Sequence, residues 1–415
     1  MTRPTKPLSA AAPMKVALLG IGNARWIAGV QYHHSLITGN SRLPADERAI
    51  LRLYLEEDVH RSTDYATVRA MLDGIWSTDF FPDQPRPLLR KCRKVARIIV
   101  RQKRIPAWPR SDLRTLLIRH GNDVLFTANG IEAGVSLPQV CWIPDCQHWH
   151  HPENFSREEL ARRDAIYHRM ITEAAAVIVS NHSSFADIVE RYPDAHDRLH
   201  RLPFTMVLPP GWRQGDPASV VRRYHLPEKF LMFPAQFWRH KNHRTLFEAI
   251  GVARNRGLDD LALVLTGHPE DPRDPDHAPR LRRFLEENGL EDRVHILGLI
   301  PRADQVQLLR AAAAIVQPSL YEGWSALIED CRSLGKTVLA SDIEMHREQA
   351  YEHTVLFDPR SPEDLATRIV QLWPTLTPGP DQARESTATQ AHDRRLADFA
   401  RGFLSICAAA RQHPR

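Results

Sequence analysis

Ala314-Ile-Val-Gln-Pro-Ser-Leu-Tyr-Glu-Gly-Trp-Ser-Ala-Leu-Ile-Glu-Asp-Cys-Arg-Ser-Leu-Gly-Lys-Thr-Val-Leu-Ala-Ser-Asp342 contains a complete folding unit. A strand-like run, Ala314–Gln317, with three apolar residues before Gln317, is followed by a loop with Pro318 and Gly323. An amphipathic stretch starts near Ser325, stops at Gly335, and gives way to a second apolar run, Thr337–Ala340. A strand, a helix and a strand in so short a span imply parallel pairing with a crossover helix.

The same alternation extends outward. Strands are expected at Phe230–Pro234, Leu261–Thr266, Val294–Leu297 and Val355–Phe357, with helix-like segments between. The first half repeats it with strands at Lys15–Leu19, Ala49–Tyr54, Asp123–Phe126, Gln139–Ile143 and Ala176–Val179. Its helices are expected at Trp26–Thr38, Leu88–Lys103, Asp112–Arg119, Arg157–Thr172 and Ser183–Arg191. The reading is an α/β fold of two doubly wound, Rossmann-like domains.

Breakers set the boundaries. LPPGWRQGDP, Leu208–Pro217, packs three prolines and two glycines into ten residues. The domains are therefore placed at 14–208 and 229–373, with 209–228 as linker and 1–13 as a loose leader. A second breaker-rich stretch, Pro374–Gln382, precedes a closing helical segment, expected at Asp393–Arg411, within 374–415.

The chain has 415 residues, 43% hydrophobic and 25% charged, which are globular values. No apolar run is long enough to span a bilayer. Five cysteines without a CxxC pair fit a reducing, cytoplasmic setting. The irregular spacing of Cys141, Cys146, His148, His150 and His151 argues against zinc. The net charge of +5 comes from one segment: Arg86 to Arg110 carries ten basic residues and no acid. Arg93, Lys94, Arg97 and Arg101 lie there on a helix-patterned stretch. They are either a solvated face or a dock for an anionic membrane surface.

Open parallel sheets bind ligands beyond the strand C-termini. Three strand ends carry unusual chemistry. Gly20-Ile-Gly22 turns toward a helix, with Arg25 where a dinucleotide fingerprint has its third glycine. This is either a tight turn or a backbone approach to phosphate or sugar. After the first strand of the second domain, Arg239, His240, Lys241, His243 and Arg244 crowd a helix start. Cations there oppose the macrodipole, so a bound anion is expected, a diphosphate above all. After Gln317 come Glu322, Gly323, Trp324, Ser325, Glu329 and Asp330: a glycine for close approach, a helix start for phosphate, and carboxylates for hydroxyls.

With Lys241, the VQPSLYEGWS block and the GKTVLASD strand in order, the second domain resembles the donor-binding half of family 4 retaining glycosyltransferases. These have the GT-B architecture, two Rossmann-like domains facing a cleft. The glycine turn after the first strand and the loop WIPDCQHWHHPENFS extend the resemblance to the first domain. It covers roughly Met14 to the C-terminus, and the last helical segment is similar to the one that crosses back onto the first domain.

The resemblance implies transfer of a hexosyl group from a nucleoside-diphosphate sugar to an acceptor hydroxyl, with anomeric retention, no cofactor and no obligatory metal. Acceptors would be saccharides or lipid-linked saccharides of cell-surface polysaccharide or glycolipid synthesis, in the cytoplasm or at the inner membrane face, with no role for nucleic acid. Lys241 would bind the diphosphate and Glu322 the transferred sugar. Asp330 keeps the seven-residue gap of the family's second acid, which binds ribose, although Glu329 stands beside it. Gln236 occupies the place of a frequent arginine, and Arg239 or Arg25 is a substitute. Gly22, Gly267, Leu299, Gly323, Trp324 and Ser325 complete the donor side, with backbone near Leu299 reading the base. Asp145 and His148 are candidates on the facing loop, where some relatives have His-Asp in place of Pro144-Asp145. His33 and His34 in the first helix either touch the acceptor or pack. The alternatives are a nucleotide-sugar hydrolase or epimerase on this fold, and a non-catalytic nucleotide-sugar-binding partner.

Overall fold

The computed structural model describes residues 12–21, 27–55, 65–77, 113–128, 130–271 and 273–412. Gly22, Arg25, Arg93, Lys94, Arg97, Arg101 and the expected helix Leu88–Lys103 lie outside the described residues.

Two all-parallel sheets form. The first runs β3 (Gly74–Ser77), β2 (Ile50–Leu55), β1 (Lys15–Leu19), β4 (Val124–Thr127), β5 (Gln139–Trp142), β6 (Ala176–Val179) and β7 (Leu199–Arg201). The second runs β10 (Val294–Ile296), β9 (Leu263–Thr266), β8 (Leu231–Pro234), β11 (Ala314–Gln317), β12 (Val338–Ser341) and β13 (Thr354–Phe357). Each is doubly wound about its first strand, so the order reverses between β1 and β4 and again between β8 and β11. Those reversals leave the loops after β8 and β11 side by side, with no crossover helix between them.

Burial on both faces explains the strand composition. β4, β5, β6, β9, β11 and β12 are buried at every position. Such strands read as continuous apolar runs rather than alternations. β3 and β7 are short edge strands, and neither stands out in the sequence. GIWS and LHR lack the Val/Ile-rich run because one side of each is open.

The closing helix runs Gln382–Gln412, starting eleven residues before the position expected from sequence. Asp381 starts it by accepting from Arg384 N at 3.0 Å. Its first half conceals its packing because the buried residues there are polar. Glu385 forms a buried ion pair with Arg310 at 2.7 Å, and His392 Nδ1 meets Ser333 Oγ at 2.9 Å. The second half enters the first-domain core through Phe399, Phe403, Cys407 and Ala410. It crosses the helix Ile27–Arg42 at Gly39, where a Cβ would lie 2.3 Å from Leu396 O. One helix thus ties the polar flank of the second domain to the core of the first.

Candidate active site

The loop after β8 ends in a single 3-10 turn, Arg239–Lys241, and then Asn242 in the left-handed region at φ 58°. Asparagine tolerates that conformation better than most residues. Its side chain donates to Pro318 O at 3.1 Å and Pro359 O at 2.9 Å, and accepts from Thr245 Oγ1 at 2.9 Å. Asn242 therefore pins the β8 loop to the loops after β11 and β13 and directs Lys241 at the neighbouring loop. Lys241 Nζ donates to Glu322 Oε1 at 2.6 Å. Glu322 also accepts from Gln317 Nε2 at 2.8 Å. Gln317 is the last residue of β11, so the strand itself aims the carboxylate.

The cation cluster expected here is smaller than the sequence implied. His243 is fully buried and stacks on Phe237 with centroids 4.4 Å apart. Neither of its ring nitrogens has a partner, and burial pushes its pKa down to about 3. His240 is also held neutral, first by burial and then by the Lys241 and Arg273 charges. Arg244 turns to Glu248 at 2.6 Å and lies over the Phe284 ring at 3.7 Å. Arg239 is exposed. Lys241 is compensated by Glu322, so a bound anion is not needed to explain this helix start.

Ser325 caps the helix Ala326–Leu334, its Oγ accepting from Ile328 N at 3.3 Å, and Ser325 N donates to Gln349 Oε1 at 2.8 Å. Those two amides are therefore occupied by protein groups. Glu329 and Asp330 diverge by the 100° step of a helix. Glu329 faces inward, accepting from Gln349 Nε2 at 3.2 Å and Arg332 Nη1 at 3.3 Å, and burial raises its pKa. Asp330 faces the β10 end, accepting from Arg302 Nη2 at 2.5 Å. Arg302 follows the Gly298–Pro301 turn that carries Leu299, which is 68% exposed. Geometry thus separates two acids that sequence left as alternatives: Asp330 shares its edge with Leu299 and Glu329 does not. Gly267 N donates to Gly298 O at 2.8 Å, so the β9 loop joins the same edge. Ala235, beside Gln236, donates to Thr266 O at 2.8 Å.

Across the cleft, Asp145 accepts from Gln147 N at 3.0 Å and backs onto Gly323, whose Cβ, were there one, would lie 2.7 Å from Asp145 Cβ. His148 turns away from this edge. It is 2% exposed among Trp149, Phe155 and Tyr167, with Nε2 3.2 Å from Asp164. The neighbouring His150 and His151 lie against Tyr321, with centroids at 5.4 and 5.8 Å. His33 is buried with Nδ1 3.1 Å from Tyr65 Oη, and His34 lies 5.6 Å from the Tyr65 ring. Both histidines pack inside the first domain.

Sequence reasoning placed Arg302 and His346 in strand-end segments without giving either a role, and passed over Gln317. His346 Nδ1 lies 2.9 Å from Ser341 O, so it carries the proton there, while the buried Nε2 has no partner. Its imidazole is pushed down to about 4, chiefly by burial, with Glu322 and Lys241 close enough to act on it. The only sequence signal was its position just past a strand end.

Residues 228–374 match the family described as "Glycosyl transferases group 1". The match covers the second domain, including both loops that build the Lys241–Glu322 pair. The matched segment is the second of the two Rossmann-like domains, and its likeness is to group 1 glycosyl transferases. Among curated proteins, the chain is 27% identical over 198 residues to D-inositol 3-phosphate glycosyltransferase of Pseudarthrobacter chlorophenolicus, covering 46% of this chain and 45% of that one. It is 21% identical over 224 residues to O-antigen chain mannosyltransferase B of Escherichia coli, covering 53% and 57%. The chain spans about half the length of the curated relatives it matches. Among solved structures, Anabaena HepE in complex with UDP and glucose superposes with a TM-score of 0.64, at 17% identity over 95% of this chain and 99% of that one. WaaG, a glycosyltransferase involved in lipopolysaccharide biosynthesis, superposes with a TM-score of 0.56 at 14% identity, covering 93% and 95%. Those structural likenesses establish the fold.

Buried neutral histidines make the protein acid-sensitive. Burial depresses His33 and His243 to about 3, and His346 and His392 to about 4. Unfolded histidines titrate near about 6.5, so below that pH the unfolded chain binds protons that the folded one refuses. Stability is therefore full above about pH 6.5 and falls as pH drops toward 4, by about 1.4 kcal/mol per pH unit for each histidine. Melting temperatures from pH 8 to 4.5 check this. His243→Leu, which removes two unpartnered ring nitrogens, should flatten the acid decline; an unchanged pH profile contradicts the assignment.

Proposed function

We propose that the chain is a retaining glycosyltransferase that moves a hexosyl group from a nucleoside-diphosphate sugar to an acceptor hydroxyl. The observation that carries this reading is the Lys241–Glu322 pair at 2.6 Å, at the sheet's switch point and within the family-matched domain. A diphosphate offers Lys241 a stronger partner than a single carboxylate, and its release from Glu322 frees that carboxylate for a sugar hydroxyl. Asp330 then accepts from ribose hydroxyls beside the base-reading turn at Leu299. Gly323 and Ser325 line the sugar side, with Gly267, Gln236 and Arg239 on the phosphate side, while Trp324 is turned to Phe204 of the first domain. A uridine nucleotide is the first donor to test, because HepE structures hold UDP and UDP-glucose.

In the reaction the bond from the anomeric carbon to the diphosphate oxygen breaks. The acceptor oxygen bonds to that carbon from the same face, and its proton passes to the departing diphosphate. Lys241 stabilises the charge that develops on the leaving group, and no metal is required by this scheme. The acceptor belongs to cell-surface polysaccharide or glycolipid synthesis, in keeping with relatives whose names refer to O-antigen and lipopolysaccharide. Among the described residues no helix is long and apolar enough to cross a membrane. The basic run containing Arg93, Lys94, Arg97 and Arg101 would bring the acceptor side to an anionic lipid surface.

Lys241→Ala should lower transfer on the order of 100-fold in a folded protein. Glu322→Ala should impair transfer while sparing bare nucleoside diphosphate. Asp330→Ala should weaken nucleoside diphosphate binding and Glu329→Ala should act mainly on stability. Steady-state transfer and calorimetric titration with UDP read these effects. Near-normal turnover of Lys241→Ala overturns the reading, and free sugar without acceptor product identifies a hydrolase. Product NMR decides retention.

For the membrane step, co-sedimentation should show salt-sensitive binding to anionic vesicles. Binding should be lost when Arg93, Lys94, Arg97 and Arg101 become Gln; equal binding to neutral vesicles rejects the dock.

A further inference from the structure

The loop that carries Glu322 belongs to the second domain, yet the residues around Glu322 are bonded to the first. Tyr321 Oη accepts from Cys146 N at 3.0 Å. Gly323 O accepts from Asn181 Nδ2. Trp324 Nε1 donates to Phe204 O at 2.7 Å. These three bonds reach three separate first-domain segments and flank Glu322 on both sides. The approach is close enough to require a glycine: a Cβ on Gly323 would lie 2.1 Å from Pro144 O.

Asn181 is the telling member. It is fully buried, and its Oδ1 accepts from Ser184 N at 2.6 Å, capping the helix His182–Arg191. That bond fixes the amide's orientation. The NH2 group must point outward from the cap, where only an acceptor can meet it, and the acceptor is the carbonyl directly after Glu322. A first-domain helix cap and a second-domain carboxylate are thereby held by one side chain.

We propose that Asn181, with Tyr321 and Trp324, is a positioning residue that sets Glu322 from the opposite domain. Gln317 aims the carboxylate from within the second domain, and these first-domain bonds hold in place the backbone that carries it. Lys241 and Asp330 have second-domain anchors, Asn242 and Arg302, and do not depend on them. The consequence rests on the donor-site reading above: the seam governs handling of the sugar and leaves grip on the nucleotide intact.

Asn181→Asp separates the two jobs of this side chain. Aspartate caps helices about as well as asparagine, so the helix His182–Arg191 keeps its start, while the donor to Gly323 O is replaced by a carboxylate that repels it. Hydrogen exchange over residues 319–325 should speed up in Asn181→Asp, with unchanged circular dichroism. The kcat of transfer should fall about tenfold or more, since a misplaced contact acts on the transition state. The Kd for UDP should stay within about twofold of wild type. Trp324→Phe, which removes only the indole donor, should move the same readouts in the same direction. Unchanged exchange and kcat in folded Asn181→Asp overturn the proposal. So does a loss of UDP affinity as large as the loss of kcat, because the residue would then act on the whole second domain. Failure of the wild type to bind UDP or transfer sugar refutes the donor-site reading instead, and the exchange measurement still decides whether Asn181 orders the loop.

Discussion

The ion pair between Lys241 and Glu322 constrains everything around it. The two residues are 81 positions apart and meet because β8 and β11 are neighbours at the reversal of strand order. Pairing at 2.6 Å with little exposure on either side leaves small room for error. Removing one partner of such a pair strands the other, a cost of about 3–5 kcal/mol when both are fully buried. The surroundings accordingly fix both ends: Asn242 locks the lysine's turn to two other loops, and Gln317 holds the carboxylate from the strand below. A compensated pair is also a poised one, because a ligand that offers a better anion to the lysine and hydroxyls to the carboxylate exchanges partners without stranding either charge.

Much of this was legible in the sequence, for definable reasons. Doubly buried strands make apolar runs, so the two sheets could be read with boundaries off by a residue or two. Lys241 and Glu322 stand in the loops beyond strand ends, and Asp330 follows Glu322 at a recognisable spacing on the next helix. Partners could not be read. The sequence counts cations near Lys241, but only the fold shows that burial neutralises His240 and His243 and that Arg244 is paired elsewhere. Glu329 and Asp330 take different partners because one helical step separates them, and the partner of Asp330, Arg302, is 28 residues away. His148 looked like a cleft residue because its loop follows a strand end on the facing domain; the short helix Gln147–His150 turns it into the interior and leaves His151 facing Tyr321. The early start of the closing helix was masked by polar residues whose burial depends on Arg310 and Ser333.

The domains are joined by more than a linker. The closing helix is bonded to the second domain and buried in the core of the first, and the seam around Tyr321, Gly323 and Trp324 runs beside the site itself. Glu348 adds a further tie, accepting from His182 N and from Arg201 Nη1, both at 2.8 Å. The next residue, Gln349, holds Ser325 and Glu329. A short chain of contacts thus leads from the first domain to the cap of the helix that bears Asp330. Domain arrangement and site geometry are coupled mechanically, through named bonds.

The central claim is that Lys241 and Glu322 exchange partners when donor binds. A crystal structure with UDP-glucose tests it most directly. The account predicts Lys241 Nζ on a diphosphate oxygen, Glu322 on a sugar hydroxyl, and Asp330 on the ribose. An intact Lys241–Glu322 pair with the nucleotide bound elsewhere would contradict it.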